Sequence, residues 1–169
     1  MVSQKLLEAL NEQLNFEYLS AHYYLGMAAY FSNEGLDGFA NFFMVQAEEE
    51  RFHARKFYDY INEMDGRVTI ASIDGVQNEF ESAVDVFKVA LHHEQIVTKR
   101  IYNLMDIAME EREHATVSFL KWFIDEQVEE ESGMKDKITK LERISDNSHA
   151  LYMMDAELGA RTFTPPAAE

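Results

Sequence analysis

Asp65-Gly66-Arg67-Val68-Thr69-Ile70-Ala71-Ser72-Ile73-Asp74-Gly75-Val76-Gln77-Asn78-Glu79-Phe80 is the stretch on which the fold turns. Asp65-Gly66, Thr69, Ser72, Asp74 and Gly75 punctuate it as an irregular segment. Both prolines, Pro165 and Pro166, lie near the far end, so the preceding 164 residues hold no strong helix breaker. An all-α chain follows. On the N-terminal side a first helix is expected over about residues 5–33, ended by Asn33-Glu34-Gly35. A second, over about 37–64, takes Asp37 as its cap and Asp65-Gly66 as its stop. On the C-terminal side a third covers about 81–110 and a fourth about 113–143, joined at Glu111-Arg112. Ser145-Asp146 then caps a short helix over 145–158, which Gly159 closes, and the tail 159–169 runs extended through Thr162-Phe163-Thr164-Pro165-Pro166. A short loop would make the second and third helices antiparallel neighbours. Sixteen residues instead stretch to roughly 50 Å, and a 30-residue helix is about 45 Å long. The segment 65–80 can therefore run the full height of a bundle. The expected architecture is a four-helix bundle of two antiparallel hairpins, joined by one long crossover and followed by a short fifth helix.

The whole chain, 1–169, is expected to form one domain, long enough to bury roughly two-thirds of its unfolded surface. With 47% hydrophobic residues it is not a disordered chain. A formal charge of −16 opposes binding to nucleic acid or anionic membranes and attracts cations. The absence of cysteine excludes disulfides, thiolate zinc sites, cysteine-ligated iron–sulfur clusters and a cysteine nucleophile. The longest apolar run, Tyr23 to Phe31, is about half of what a membrane span needs. Met1-Val2-Ser3-Gln4-Lys5 shows no signal-peptide pattern, and a cytoplasmic protein is expected.

Heptad seams place the core. In the first helix one seam reads Leu7, Leu14, Ala21, Ala28 and the other Leu10, Glu17, Tyr24, Phe31. The other three helices show the same habit: apolar seams interrupted near the middle, by Glu50 and His53, by Glu94, and by Gln127 and Glu130. All six polar residues should fall in one layer. Glu17 and Glu94 are 77 residues apart, as are Glu50 and Gln127, and His53 and Glu130, so the hairpins present matching sets. A carboxylate in a dry core costs several kcal/mol or more when unpaired. No lysine or arginine stands in the layer, whereas two dications would balance four glutamates. Glu50-x-x-His53 and Gln127-x-x-Glu130 are i, i+3 pairs, so both members of each face one way. Oxygen-rich ligands with one imidazole suit iron(II) or manganese better than structural zinc. The competing reading is a solvated polar layer or a protonated carboxyl network. Matched spacing on four helices favours the metal.

Around the layer the readings stay open. Glu49, Glu126 and Glu129 either bind a further cation with Glu130 or form a solvated acidic face. Tyr24 either bonds a metal-bound glutamate and donates an electron, or is a core tyrosine with a satisfied hydroxyl. Trp122 reads as packing. His22, His92, His93, His114 and His149 lack partners at ligand spacing and read as surface or interface. Residues 23–31 and Phe39, Phe42 and Phe43 carry more apolar surface than one seam buries, which implies subunit contact. A non-catalytic acidic bundle that buffers metal or scaffolds an assembly is the alternative to an enzyme.

Four motifs carry a resemblance: Asn15-Phe16-Glu17-Tyr18; Gln46-Ala47-Glu48-Glu49-Glu50-Arg51-Phe52-His53-Ala54; His92-His93-Glu94; and Phe119-Leu120-Lys121-Trp122-Phe123-Ile124-Asp125-Glu126-Gln127-Val128-Glu129-Glu130-Glu131. Over nearly its whole length the chain resembles the bacterial non-haem ferritins. The resemblance implies a ferritin-like fold and an iron store of 24 subunits. It implies oxidation of iron(II) by dioxygen or hydrogen peroxide at an intrasubunit diiron ferroxidase centre. By position, Glu17, Glu50 and His53 match one iron site, and Glu94 and Glu130 the second, with Gln127 beside it. Glu49, Glu126 and Glu129, with Glu130, match a third. Tyr24 and Trp122 match the family's residues near the centre. Bacterioferritins and rubrerythrins are similar to each other in having Glu-x-x-His in both halves, unlike Gln127-x-x-Glu130 here. Phe52 stands where a haem-ligating methionine is expected, so neither haem nor a rubrerythrin-type peroxidase is implied.

Overall fold

The computed structural model describes residues 2–144 and 146–165. Among the described residues five helices follow in order: α1 Gln4–Asn33, α2 Asp37–Glu63, α3 Ala83–Glu110, α4 His114–Ile144 and α5 Ser148–Gly159. α1 packs on α2 and α3 on α4, giving the two hairpins, while α1 also lies against α3. Across the fourth edge, Tyr60 of α2 meets Thr116 of α4 at 2.8 Å and Gln46 donates to Glu130 at 2.9 Å.

The crossover climbs along α1. Near its start the amides of Asn11 and Asn15 bond the loop backbone at Arg67, Thr69 and Ala71. Near its end it presses on Gly26, where an added Cβ would stand 2.8 Å from the Gln77 carbonyl. Phe80 then packs edge-on against Tyr30. The segment runs the height of the bundle, so α3 descends antiparallel to α1 and every neighbouring pair is antiparallel. This cover corrects one inference. Met27, Phe31, Phe39, Phe42 and Phe43 are all buried within the single chain, under the crossover and α5. These five supply no surplus surface for subunit contact, while Tyr23, Leu25 and Tyr30 stay half-buried and Ala29 exposed.

Local chemistry sets the helix ends. Ser3, Ser82 and Asn147 cap α1, α3 and α5 by accepting from Leu6, Asp85 and Ala150 N–H groups, each worth about 1 kcal/mol. Of the expected cap Ser145-Asp146, Ser145 lies outside the described residues, as do 166–169 of the tail, and Asp146 does not cap the last helix, which starts at Ser148. Asp37 is not the cap of α2. Leu36 holds that position without a side-chain bond, and Asp155 of α5 accepts from the Phe39 N–H at 3.0 Å instead. That contact demands Gly38, whose added Cβ would lie 1.6 Å from the Asp155 carbonyl oxygen. Between α3 and α4 the chain reverses on Arg112 at φ 56, closed by Glu113 N–H to Ala108 O at 2.8 Å.

The core divides in two. One apolar cluster holds Phe31, Phe39, Phe43, Phe87 and Met134, the other Leu6, Leu10, Phe57, Ile101 and Phe123. The polar layer lies between them.

Candidate metal centre

Four helices each bring their mid-point side chains to this layer. Glu17, Glu50, His53, Glu94 and Gln127 are buried, and Glu130 is half-buried beside them. Ligand atoms of Glu17, Glu50 and His53 all lie within 4.8 Å of one another. His53 Nδ1 is 4.0 Å from Glu17 Oε2 and 3.3 Å from Glu50 Oε2. The first contact is too long and the second misaligned for a hydrogen bond, so both carboxylate oxygens are buried without a partner among the described residues. Two orphaned oxygens and an imidazole nitrogen at this range form an incomplete cage for a dication. The His53 ring is fixed by the edges of Trp122 and Phe123, at 5.4 and 5.9 Å.

The opposite half is differently prepared. Glu94 accepts from the Tyr24 hydroxyl and, at 3.0 Å, from Gln127 Nε2. The same Gln127 nitrogen reaches the Glu94 carbonyl and Thr98 Oγ1. Gln127 therefore turns its amide nitrogen toward Glu94 and orients that carboxylate. Glu130 accepts from Gln46. Burial, then the neighbouring carboxylates, raises the proton affinity of Glu17 and Glu50. Burial is also the main cause for Glu94. For Glu130 burial and the Glu94 charge push the value up to about 8. Burial and Glu94 likewise hold Tyr24 well above the ordinary phenol range. Like charges gathered in a dry layer call for a positive counter-ion.

Beside the layer, Glu49, Glu126, Glu129 and Glu130 line a cleft of about 360 Å³, with Lys137 and Arg161 on its wall. The sequence reading grouped these acids and missed the cations. Arg161 donates to Glu49 at 2.7 Å and lies 4.4 Å over the Phe42 ring. It comes from the tail, pinned where Asn41 donates to the Arg161 carbonyl, and no spacing rule signals it.

His93 is corrected. It is buried, bonds Ser20 Oγ through Nε2 at 2.7 Å and stacks on Phe16. Burial lowers its value to about 4, so it is neutral at pH 7. His22, His92, His114 and His149 are exposed as expected. Phe52 packs against Trp122 and Phe163.

The chain is 52% identical to the bacterial non-heme ferritin of Staphylococcus aureus (strain USA300) over 163 residues, 96% of this chain and 98% of that one. It superposes on a closed form of the Archaeoglobus fulgidus ferritin made by site-directed mutagenesis with a TM-score of 0.96. Identity there is 43%, covering 97% of this chain and 100% of that one. The open-pore ferritin of the same archaeon gives a TM-score of 0.95 at 42% identity, over 96% and 100% of the two chains. Residues 7–144 match the ferritin-like domain, and with these relatives they establish that the chain belongs to the ferritin family.

Proposed function

We propose that this chain is an iron-storage ferroxidase that works inside one bundle. Glu17, Glu50 and His53 take one iron(II), and Glu94 and Glu130 the second. Each iron gives up one electron. Dioxygen takes two electrons and two protons to leave as hydrogen peroxide; hydrogen peroxide as oxidant takes two electrons and two protons to give two waters. Gln127 and Tyr24 hold Glu94 in place, and Trp122 holds His53. Glu49, Glu126 and Glu129, with Glu130, receive a third cation on the way out. The ferric product is stored as mineral inside a closed homo-oligomeric shell of 24 chains, with no haem, in the cytoplasm.

The observation that carries this reading is the pair of buried carboxylate oxygens without partners, facing His53. A bundle built only for stability would hydrogen-bond them. The names of the relatives, bacterial non-heme ferritin among them, support iron as the cargo. Loading the protein with iron(II) without oxygen and then adding an oxygen pulse tests it. A ferroxidase produces ferric absorbance within the pulse and turns over on repeated loading. A buffering bundle binds the iron and oxidises it no faster than buffer does.

A further inference from the structure

Glu17 has two oxygens in different situations. Oε2 faces Glu50 and His53 with no partner. Oε1 is turned away and accepts from Gln13 Nε2 at 2.7 Å. Gln13 lies one turn earlier on α1, on the same helix face, and is itself buried. Its carbonyl oxygen accepts from Arg100 Nε of α3 at 2.9 Å. Arg100 is half-buried and is held 4.3 Å over the Phe16 ring.

The chemistry of the three groups gives this row a direction. An amide can present either its oxygen or its nitrogen to a neighbour. A guanidinium only donates. Arg100 therefore draws the Gln13 oxygen toward α3, and the nitrogen must face Glu17.

Resting on the reading of Glu17 as an iron ligand, we propose that Gln13, oriented by Arg100, is a positioning residue for Glu17. It ties one carboxylate oxygen and presents the other alone to the metal, so that Glu17 binds through one oxygen. Neither Gln13 nor Arg100 is among the proposed metal ligands. Outer partners that orient a metal ligand typically matter tenfold to a hundredfold in affinity.

Zinc titration calorimetry and the visible spectrum of the cobalt(II)-loaded, assembled protein test the arm without any turnover. Gln13→Leu keeps the volume and removes the donor. It should weaken the Glu17–Glu50–His53 dication class by about tenfold to a hundredfold. It should also change the cobalt band, because both Glu17 oxygens become free to bind. Arg100→Lys, still a pure donor, should keep wild-type affinity. Arg100→Glu offers Gln13 an acceptor, rotates the amide and turns its oxygen on Glu17; the loss should match that of Gln13→Leu. Glu17→Ala is the control. If it binds zinc like the wild type, Glu17 is no ligand and the arm falls with that reading. If Glu17→Ala loses the class while Gln13→Leu and Arg100→Glu keep wild-type affinity and spectrum, the arm alone is overturned. A lower melting temperature with unchanged binding is the signature of a purely structural role, and it overturns the proposal too.

Discussion

Glu50 Oε2 and Glu17 Oε2 are each buried with no donor, a state that costs about 1–3 kcal/mol per group. The metal-free protein is thus held below its attainable stability by its own site. Glu50→Gln removes a charge without opening a cavity. Its metal-free melting temperature should rise by about 2–4 °C, the shift that 1 kcal/mol gives in a domain of this size. Calorimetry without metal checks it. Fast iron(II) oxidation by the same variant, and by His53→Ala, should nearly vanish while helicity by circular dichroism stays intact. Glu94 is in the opposite condition, already satisfied by Tyr24 and Gln127, as Glu130 is by Gln46. A dication there shares the Glu94 oxygens with these donors, whereas at Glu17 and Glu50 it meets one oxygen of each that no donor occupies. Zinc titration should therefore resolve two affinity classes. Glu94→Ala and Glu130→Ala should remove the weaker class and leave the Glu17–Glu50–His53 class. Glu126→Ala should spare both, and loss of all binding in that variant would place the centre's boundary wrongly.

At the scale of elements, α5 does two tasks through one close approach. Asp155 caps α2, and Asn41 of α2 holds the chain beyond α5 so that Arg161 reaches Glu49. Gly38→Ala puts a methyl carbon into the Asp155 backbone and should push α5 off. Limited proteolysis should then cut near 145–160 faster than in the wild type, with a lower melting temperature. Arg161→Ala leaves α5 seated and only frees Glu49. It should strengthen dication binding at the outer acids severalfold, seen as a third class in the same titration. The helices and the polar layer were legible because both are written locally: an apolar seam, its spacing, and the places where a charge interrupts it. What escaped reading lies between elements. The Asp155 cap sits 116 residues from its Phe39 partner, and the burial of Met27 and Phe31 depends on where the crossover happens to lie. His93 passed for surface because Ser20 and Phe16, which bury and bond it, belong to another helix. Arg112 adopts φ 56 with a side chain that gives no sign of it.

For the whole molecule, charge and apolar surface point to its surroundings. Glu17, Glu50, Glu94 and Glu130 all bind protons more tightly in the folded bundle than near 4.5, their ordinary value. A raised value stabilises the fold fully below about 4.5, and that contribution is lost as pH rises through the folded value, about 8 for Glu130. The metal-free melting temperature should fall between pH 5 and pH 8. A dication expels those protons, so zinc should bind more tightly, and protect more, as pH rises over the same interval. Glu130→Gln should flatten the upper part of the metal-free curve. Assembly is the remaining expectation. Although Tyr24, Met27, Ala28 and Phe31 are already covered, Ile70, Met109, Val128, Tyr152 and Met153 are each more than 60% exposed. They are distributed over the crossover, the α3 end, α4 and α5, so one partner cannot cover them all, and a closed shell with several kinds of contact can. Each chain carries −16, and salt screening should favour the assembly. Size-exclusion chromatography with light scattering at physiological salt should give a particle of about 24 chains. A stable monomer would remove the cavity and with it the storage role, yet it would leave the ferroxidase reading standing, because every proposed ligand of the centre comes from one chain.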